Sequence, residues 1–290
     1  MPHCPQRRAL LLAALAAPLM LALPARANDP SQALFAALEK TSGGRLGVCA
    51  LNTAIGSSIR YRADERFPLC STFKLILAGA ILARSSQVAG LLQQTLPYTQ
   101  SDMVTYSPIT AKHLATGMTV AELCAAAIQY SDNTAANLLM KLLGGPSAVT
   151  AFARGIGDTA LRLDRWETEL NSALPGDPRD TTTPAAMAHS VQALVLGDSL
   201  SKAQREQLQV WLKGNTTGAK RIRAGVPEPW QVGDKTGTGD YGTTNDVGVI
   251  WPVTSGPIVL TVYYTQKDAD ARPRDDVIAQ ATHIAVNALR

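Results

Sequence analysis

The segment Ser71-Thr72-Phe73-Lys74 sets a hydroxyl and an amine three residues apart, neighbours on one side of a helical turn. Residues 75–83 that follow are apolar all round, the pattern of a buried helix. A serine hydroxyl is a weak nucleophile until a base takes its proton, and a partly desolvated lysine beside it can do so. A Ser-x-x-Lys spacing arises by chance about once in a chain of this length, so its weight depends on what accompanies it. Three further patterns do. Ser131-Asp132-Asn133 falls in the break between two capped helices, and Lys235-Thr236-Gly237, followed by Thr238 and Gly239, lies on a strand. Between them, Arg165-Trp166-Glu167-Thr168-Glu169-Leu170-Asn171 opens a turn-rich loop that closes near Asp180. Taken singly, Ser131 or Asn133 reads as a helix cap, Arg165 as a solvated charge and Thr236 as an ordinary strand residue. Glu167 fits such a bland reading worst, because Trp166 and Leu170 imply that it is partly buried. Together, in this order and each at an element boundary, the four patterns point to nucleophilic catalysis.

The elements that must position these groups follow from punctuation and period. Asp29-Pro30-Ser31-Gln32 is a capping box opening a helix with Leu34, Phe35 and Leu38 on one face. Two strands follow, over 45–51 and 58–62, joined by a turn containing Gly56. The long middle is helical. Thr119 with Glu122 caps one helix, another ends at Gly144-Gly145, and Pro146 opens the next. Thr183-Pro184 starts a further helix closed by Gly197, and Ser201 with Gln204 caps a last one ending at Gly214. Then the period changes to strands over 230–237, 245–251 and 258–265, and a helix from about residue 273 carries the stripe Val277, Ile278, Ala281, Ile284. Strands at both ends with helices between predict an α/β domain from 28–64 and 213–290 and an all-α insert over 65–212 that carries the loop 165–180. A cleft between two such units is where a small ligand binds.

Composition narrows the setting. Arg7-Arg8, the apolar run 9–23 and Ala25-Arg26-Ala27 describe an export signal over 1–27, too short for a membrane anchor, with the general and twin-arginine routes both open. That segment holds three arginines and no acid, so the rest has 24 Lys and Arg against 23 Asp and Glu, a net charge of +1. Nucleic-acid binding is not indicated. Cys49, Cys70 and Cys124 are odd in number, match no metal spacing and read as buried small hydrophobes, although a pairing of two stays open. His113, His189 and His283 show no ligand spacing, and no Gly-x-Ser-x-Gly elbow is present, which disfavours a metallo-hydrolase and a Ser-His-Asp hydrolase.

The motif set resembles that of the class A serine β-lactamases over essentially all of the chain after residue 27. The resemblance is nearest the cefotaxime-hydrolysing, extended-spectrum group, with some features of the carbapenem-hydrolysing branch. It implies an antiparallel sheet flanked by terminal helices with a large helical insert, the fold shared with D,D-peptidases. It also implies a periplasmic, monomeric enzyme acting on a small β-lactam, with no cofactor, metal, nucleic-acid or membrane partner. In that frame Ser71 is the nucleophile, Lys74 and Ser131 relay its proton to the departing ring nitrogen, and Glu167 with Asn171 delivers the water that releases the ester. The acylation base is either Lys74 or Glu167 acting through water. The Ser71 and Thr238 N–H groups form an oxyanion hole, and Lys235, Thr236, Gly237 and Thr238 make the wall for the substrate carboxylate. Asn133 holds the substrate's side-chain amide, and Arg165 with Asp180 pins the loop's neck, a role Arg179 and Asp177 share.

Tyr106 matches the aromatic that edges the family's cleft, the alternative being a loop tyrosine over core; Arg221 matches one that reaches the carboxylate wall, the alternative being a surface charge. Asp132 and Asp234 read as braces. Two disulfides known among relatives are excluded, since Ala78 and Gly239 stand where the partner cysteines would be. Thr238 with Arg221 resembles the carbapenemase branch, whereas Gly237 to Asp246 resembles the cefotaxime-hydrolysing group, so penicillins and early cephalosporins are expected, oxyimino-cephalosporins favoured and carbapenems open. The rivals are a D,D-peptidase and a β-lactam sensor, which would acylate and stay acylated; the stretch from Glu167 to Asn171 argues against both.

Overall fold

The computed structural model describes residues 30–289. The expected export signal, and Asp29 of the first capping box, lie outside the described residues. Helix α1 (Pro30–Ser42) leads into strands β1 (Arg45–Asn52) and β2 (Ser58–Tyr61), and β3 (Phe67–Pro68) precedes a short 3-10 turn, Cys70–Thr72, and α2 (Phe73–Ser85). Short strands β4 (Thr95–Leu96) and β5 (Met118–Thr119) pair before α3 (Val120–Gln129), α4 (Asn133–Leu143) and α5 (Pro146–Gly155). After the loop, β6 (Thr181–Thr182) pairs back on β3, and α6 (Pro184–Val195) and α7 (Lys202–Lys213) follow. The chain ends with β7 (Gln231–Gly239), β8 (Thr243–Trp251), β9 (Ile258–Thr265) and α8 (Asp275–Ala288).

Five strands form one antiparallel sheet in the order β2-β1-β9-β8-β7, which leaves β7 on an edge. Because side chains alternate across a strand, the sheet feeds two cores. Val48, Leu260 and Val262 pack with Phe35 of α1 and Val277 and Ile278 of α8 on one face. Cys49, Val247, Val259 and Tyr263 join the larger core made by α2 to α7 on the other. Helix α2 is buried from Phe73 through Leu82, so it runs through the middle of that second core. Cys49, Cys70 and Cys124 are buried with free thiols.

The helix ends behave as their residues dictate. In α3 the Thr119 hydroxyl accepts from Glu122 N (3.2 Å) while Glu122 accepts from Thr119 N (2.8 Å). Ser201 and Gln204 repeat this arrangement for α7, and Gly144 closes α4 in a left-handed conformation. The late strands run longer than the sequence pattern suggested: β7 reaches Gly239 and β8 starts at Thr243, because a tight turn over 240–242 joins them directly. No helix among the described residues is long and apolar enough to cross a membrane.

The β7–β8 pair has little slack. A Cβ at Gly248 would lie 2.1 Å from Gly233 O and 2.8 Å from Asp234 Cα, both backbone atoms with no flexible end to yield. Gly248→Ala is therefore expected to cost about 1–3 kcal/mol, read as a lower urea midpoint; an unchanged midpoint would contradict this register.

Candidate active site

The position of Ser71 begins with an unusual turn. Cys70 has a positive φ of 44°, and the 3-10 turn it opens hands over to α2 with Ser71 and Lys74 both buried. From β8, Asn245 Nδ2 donates to Pro68 O (2.9 Å) and Leu69 O (3.3 Å), which ties this turn to the sheet. Ser131 also has a positive φ, 58°, in the break between α3 and α4. Asp132 caps α4 by accepting from Ala135 N (2.9 Å), and it also accepts from the N–H groups of Ile109 and Thr110.

Four chain segments then meet at two lysines. Lys74 Nζ lies 2.9 Å from Glu167 Oε1 and donates to Asn133 Oδ1 (2.6 Å) and Ser131 O (2.9 Å), which occupies all three ammonium protons. Lys235 Nζ, from edge strand β7, donates to Ser131 Oγ (3.0 Å) and Thr236 O (2.8 Å). Both lysines are fully buried. Burial pulls Lys74 below the usual lysine range, with the Glu167 carboxylate opposing it. Burial, reinforced by the charge of Lys74, pulls Lys235 well below that range. Burial and nearby Asp234 push the Asp246 carboxyl well above the ordinary carboxylate range.

Glu167 is the centre of the arrangement. Its Oε1 accepts from Ser71 Oγ at 3.3 Å and its Oε2 from Asn171 Nδ2 at 2.6 Å. Asn171 Oδ1 is buried with no hydrogen-bond partner among the described residues. The loop is held at its neck by Arg165 Nε on Asp180 Oδ2 (2.5 Å), and Arg165 also donates to Ser172 Oγ (3.0 Å). Arg179 pairs with Asp177 (2.7 Å) at the exposed tip, where the guanidinium holds the Asp177 carboxyl down to about 2. Asp240 N donates to Asn171 O (2.9 Å), so the loop also leans on the end of β7. Gly239 permits that approach: a Cβ there would sit 2.5 Å from Asn171 O and 2.7 Å from Cys70 Sγ.

The remaining expected residues join this network through β7 and the segment before α4. Thr236 Oγ1 lies 2.6 Å from Thr217 Oγ1, and Thr238 Oγ1 accepts from Arg221 (2.8 Å). Arg221 is not a surface charge. It is buried, donates to Gly237 O and Asn245 O (both 2.8 Å) and pairs with Asp275 (2.7 Å) at the start of α8. Tyr106 is exposed, with its carbonyl accepting from Asn133 N (3.1 Å). Asn133 differs from expectation in one respect. Its Oδ1 is occupied by Lys74 and its Nδ2 by Thr105 O (2.9 Å), so it braces the site as well as facing it. Asp234 accepts from Asn215 and Arg223.

Nearly the whole chain matches one known family. The model of the beta-lactamase enzyme family covers residues 30–289. The chain belongs to the class A serine β-lactamases. A beta-lactamase of Proteus vulgaris is 57% identical over 257 residues, covering 89% of this chain and 95% of its own. A carbapenem-hydrolyzing beta-lactamase, KPC, of Klebsiella oxytoca is 55% identical, covering 98% of this chain and 97% of its own. The crystal structure of a beta-lactamase from Desulfarculus baarsii superposes with a TM-score of 0.89 at 57% identity, covering 90% of this chain and 97% of that one. This β-lactamase hydrolyses β-lactams, the activity that confers resistance to them.

Three residues around the β-lactamase site were not singled out from sequence: Asn137, Thr217 and Asn245. Asn137 clasps the Glu167 backbone from both sides, donating to its carbonyl (2.9 Å) and accepting from its N–H (3.0 Å). A signal existed, since Asn137 stands four residues after Asn133 on one face of α4. Asn137→Leu leaves two backbone groups of Glu167 without those partners, each worth about 1–3 kcal/mol if it stays buried. It should lower kcat by roughly tenfold or more while circular dichroism stays native; an unchanged kcat would show that the clasp does not position Glu167.

Proposed function

We propose that the enzyme is a periplasmic monomer that opens penicillins and cephalosporins through an ester on Ser71, released by water activated at Glu167. In this reading residues 1–27 are the export signal, and the cleft lies between an α/β domain of 28–64 and 213–290 and a helical domain of 65–212. The observation that carries it is the placement of the Glu167 carboxylate, 3.3 Å from Ser71 Oγ through one oxygen and held by Asn171 through the other. A deacylating base must stand where it can deliver water to the ester carbon, and a D,D-peptidase or sensor that stays acylated by penicillin has no carboxylate so placed.

In acylation, Ser71 Oγ attacks the strained lactam carbonyl as its proton leaves. The acceptor within hydrogen-bond reach is Glu167 Oε1, with the Lys74 ammonium beside it at 2.9 Å. The Ser71 and Thr238 N–H groups receive the developing oxyanion. The ring C–N bond breaks and Ser131, whose oxygen accepts from Lys235, gives its proton to the departing nitrogen; Lys74 gives Ser131 a proton in its place and takes from Glu167 the one that left Ser71, so Glu167 is again a carboxylate when water enters. In deacylation, water loses a proton to Glu167 and attacks the ester carbon, while Asn171 Oδ1, which has no hydrogen-bond partner among the described residues, accepts its second O–H. Ser71 Oγ departs and recovers its proton. The third Lys235 proton and the Thr238 hydroxyl, steadied by Arg221, face the substrate carboxylate.

In Glu167→Ala the carboxylate that opposes the lowered proton affinity of Lys74 is gone, which leaves the Lys74 amine to take the Ser71 proton. The variant should therefore still acylate with benzylpenicillin, more slowly, and accumulate: intact-protein mass spectrometry should show one equivalent of added substrate that persists for at least a hundred turnover times of the unaltered enzyme. Normal turnover of an unmodified protein would refute the role of Glu167. A second expectation concerns pH. The lowered proton affinity of Lys235 means its cation is present at low pH and is lost, as pH rises, before the ordinary lysine value of about 10.4. Recognition of the substrate carboxylate should therefore weaken on the alkaline side below that value, and Lys235→Arg should move this limb of kcat/KM upward. An identical limb in Lys235→Arg would place the titration elsewhere.

A further inference from the structure

A cavity of about 530 Å³ lies behind the catalytic loop, away from the lysines and Ser71. That volume is within the range of small-molecule sites. One wall is the loop's outer limb, where Leu174 and Pro178 present apolar surface; the other is the sheet end and the segment before β3, which bring Arg45, Arg66 and Lys267. Leu174 is a large hydrophobic side chain left 45% exposed. The cations are not equally engaged. Arg45 lies over the Phe67 ring (3.8 Å) and pairs with Glu65 (3.1 Å), and Arg66 is tethered to Ala160 O and Thr181 Oγ1. Lys267 is exposed and its ammonium has no partner among the described residues. The one acid on the wall, Asp177, is already paired with Arg179.

We propose that this cavity binds an organic anion with an apolar body, and that its occupancy tunes hydrolysis through the loop without competing with substrate. The charge balance selects an anion, and Leu174 with Pro178 selects the apolar body. The link to chemistry is short. Ala173, on the cavity wall, is two residues from Asn171, whose amide holds Glu167, and Arg165 joins Ser172 to Asp180 across the loop's neck. Filling the outer limb fixes the backbone from which Asn171 and Glu167 project.

The test uses the signal-free enzyme and 8-anilinonaphthalene-1-sulfonate as probe. Fluorescence titration should show one saturable site, weakened at least tenfold in Lys267→Glu and in Leu174→Glu and retained in Lys267→Arg. In steady-state β-lactam hydrolysis the probe should change kcat and leave KM unaltered, an effect absent in Lys267→Glu, whose hydrolysis without probe should match that of the unaltered enzyme. Equal probe affinity in all variants, or a rise in KM with kcat unchanged, would overturn the proposal. The titration needs no turnover, so it stands or falls independently of the ester mechanism.

Discussion

Two ammonium groups, on Lys74 and Lys235, are buried in one polar pocket and meet the same residue, Ser131. Withdrawing each from water costs several kcal/mol, and their like charges add to it. Among the described residues, the carboxylate in direct contact with either is Glu167, at 2.9 Å from Lys74. The loop must therefore fold inward to bring that carboxylate to the lysine, and the same inward fold brings it to Ser71. Charge balance and the approach of Glu167 to Ser71 are one constraint.

Much of the surrounding structure serves to hold that contact. The Asn137 clasp fixes the backbone of Glu167, Asn171 fixes its carboxylate, and Arg165 with Asp180 closes the loop behind it. The opposite side is more rigid. Ser71 and Lys74 stand at the start of a helix buried on every side, and Lys235 stands on a strand whose partner approaches too closely for any Cβ at Gly248. A rigid floor facing a pinned loop permits small adjustments on the loop side only, which is why the cavity behind the loop is a natural place for influence on turnover.

The fold was legible where local chemistry decides conformation. Capping boxes at Thr119 and Ser201 and the Gly144 stop mark their elements directly, because each acts within four residues. Strand ends at 239 and 243 were missed because pairing across a tight turn, and no local preference, extends them. The motif residues Ser71, Lys74, Ser131, Asn133, Glu167, Asn171 and Lys235 are joined in one network of hydrogen bonds and an ion pair. Asn137 is marked only by sharing a helix face with Asn133, which does not point to its Glu167 partner 30 residues away, and Asn245 carries no local mark, its partner lying more than 170 residues away. Arg221 was ambiguous for the same reason, since only its buried contacts with β7, β8 and Asp275 separate it from a surface arginine.

The account's central claim is that hydrolysis passes through a covalent ester on Ser71 that the facing carboxylate then clears. Rapid chemical quench of the unaltered enzyme with benzylpenicillin, followed by peptide mapping, tests it most directly. The peptide bearing Ser71 should gain the mass of one intact substrate within the first turnover and lose it as product appears. Product formed through that first turnover with no adduct at any sampled time, or an adduct on another residue, would contradict the account.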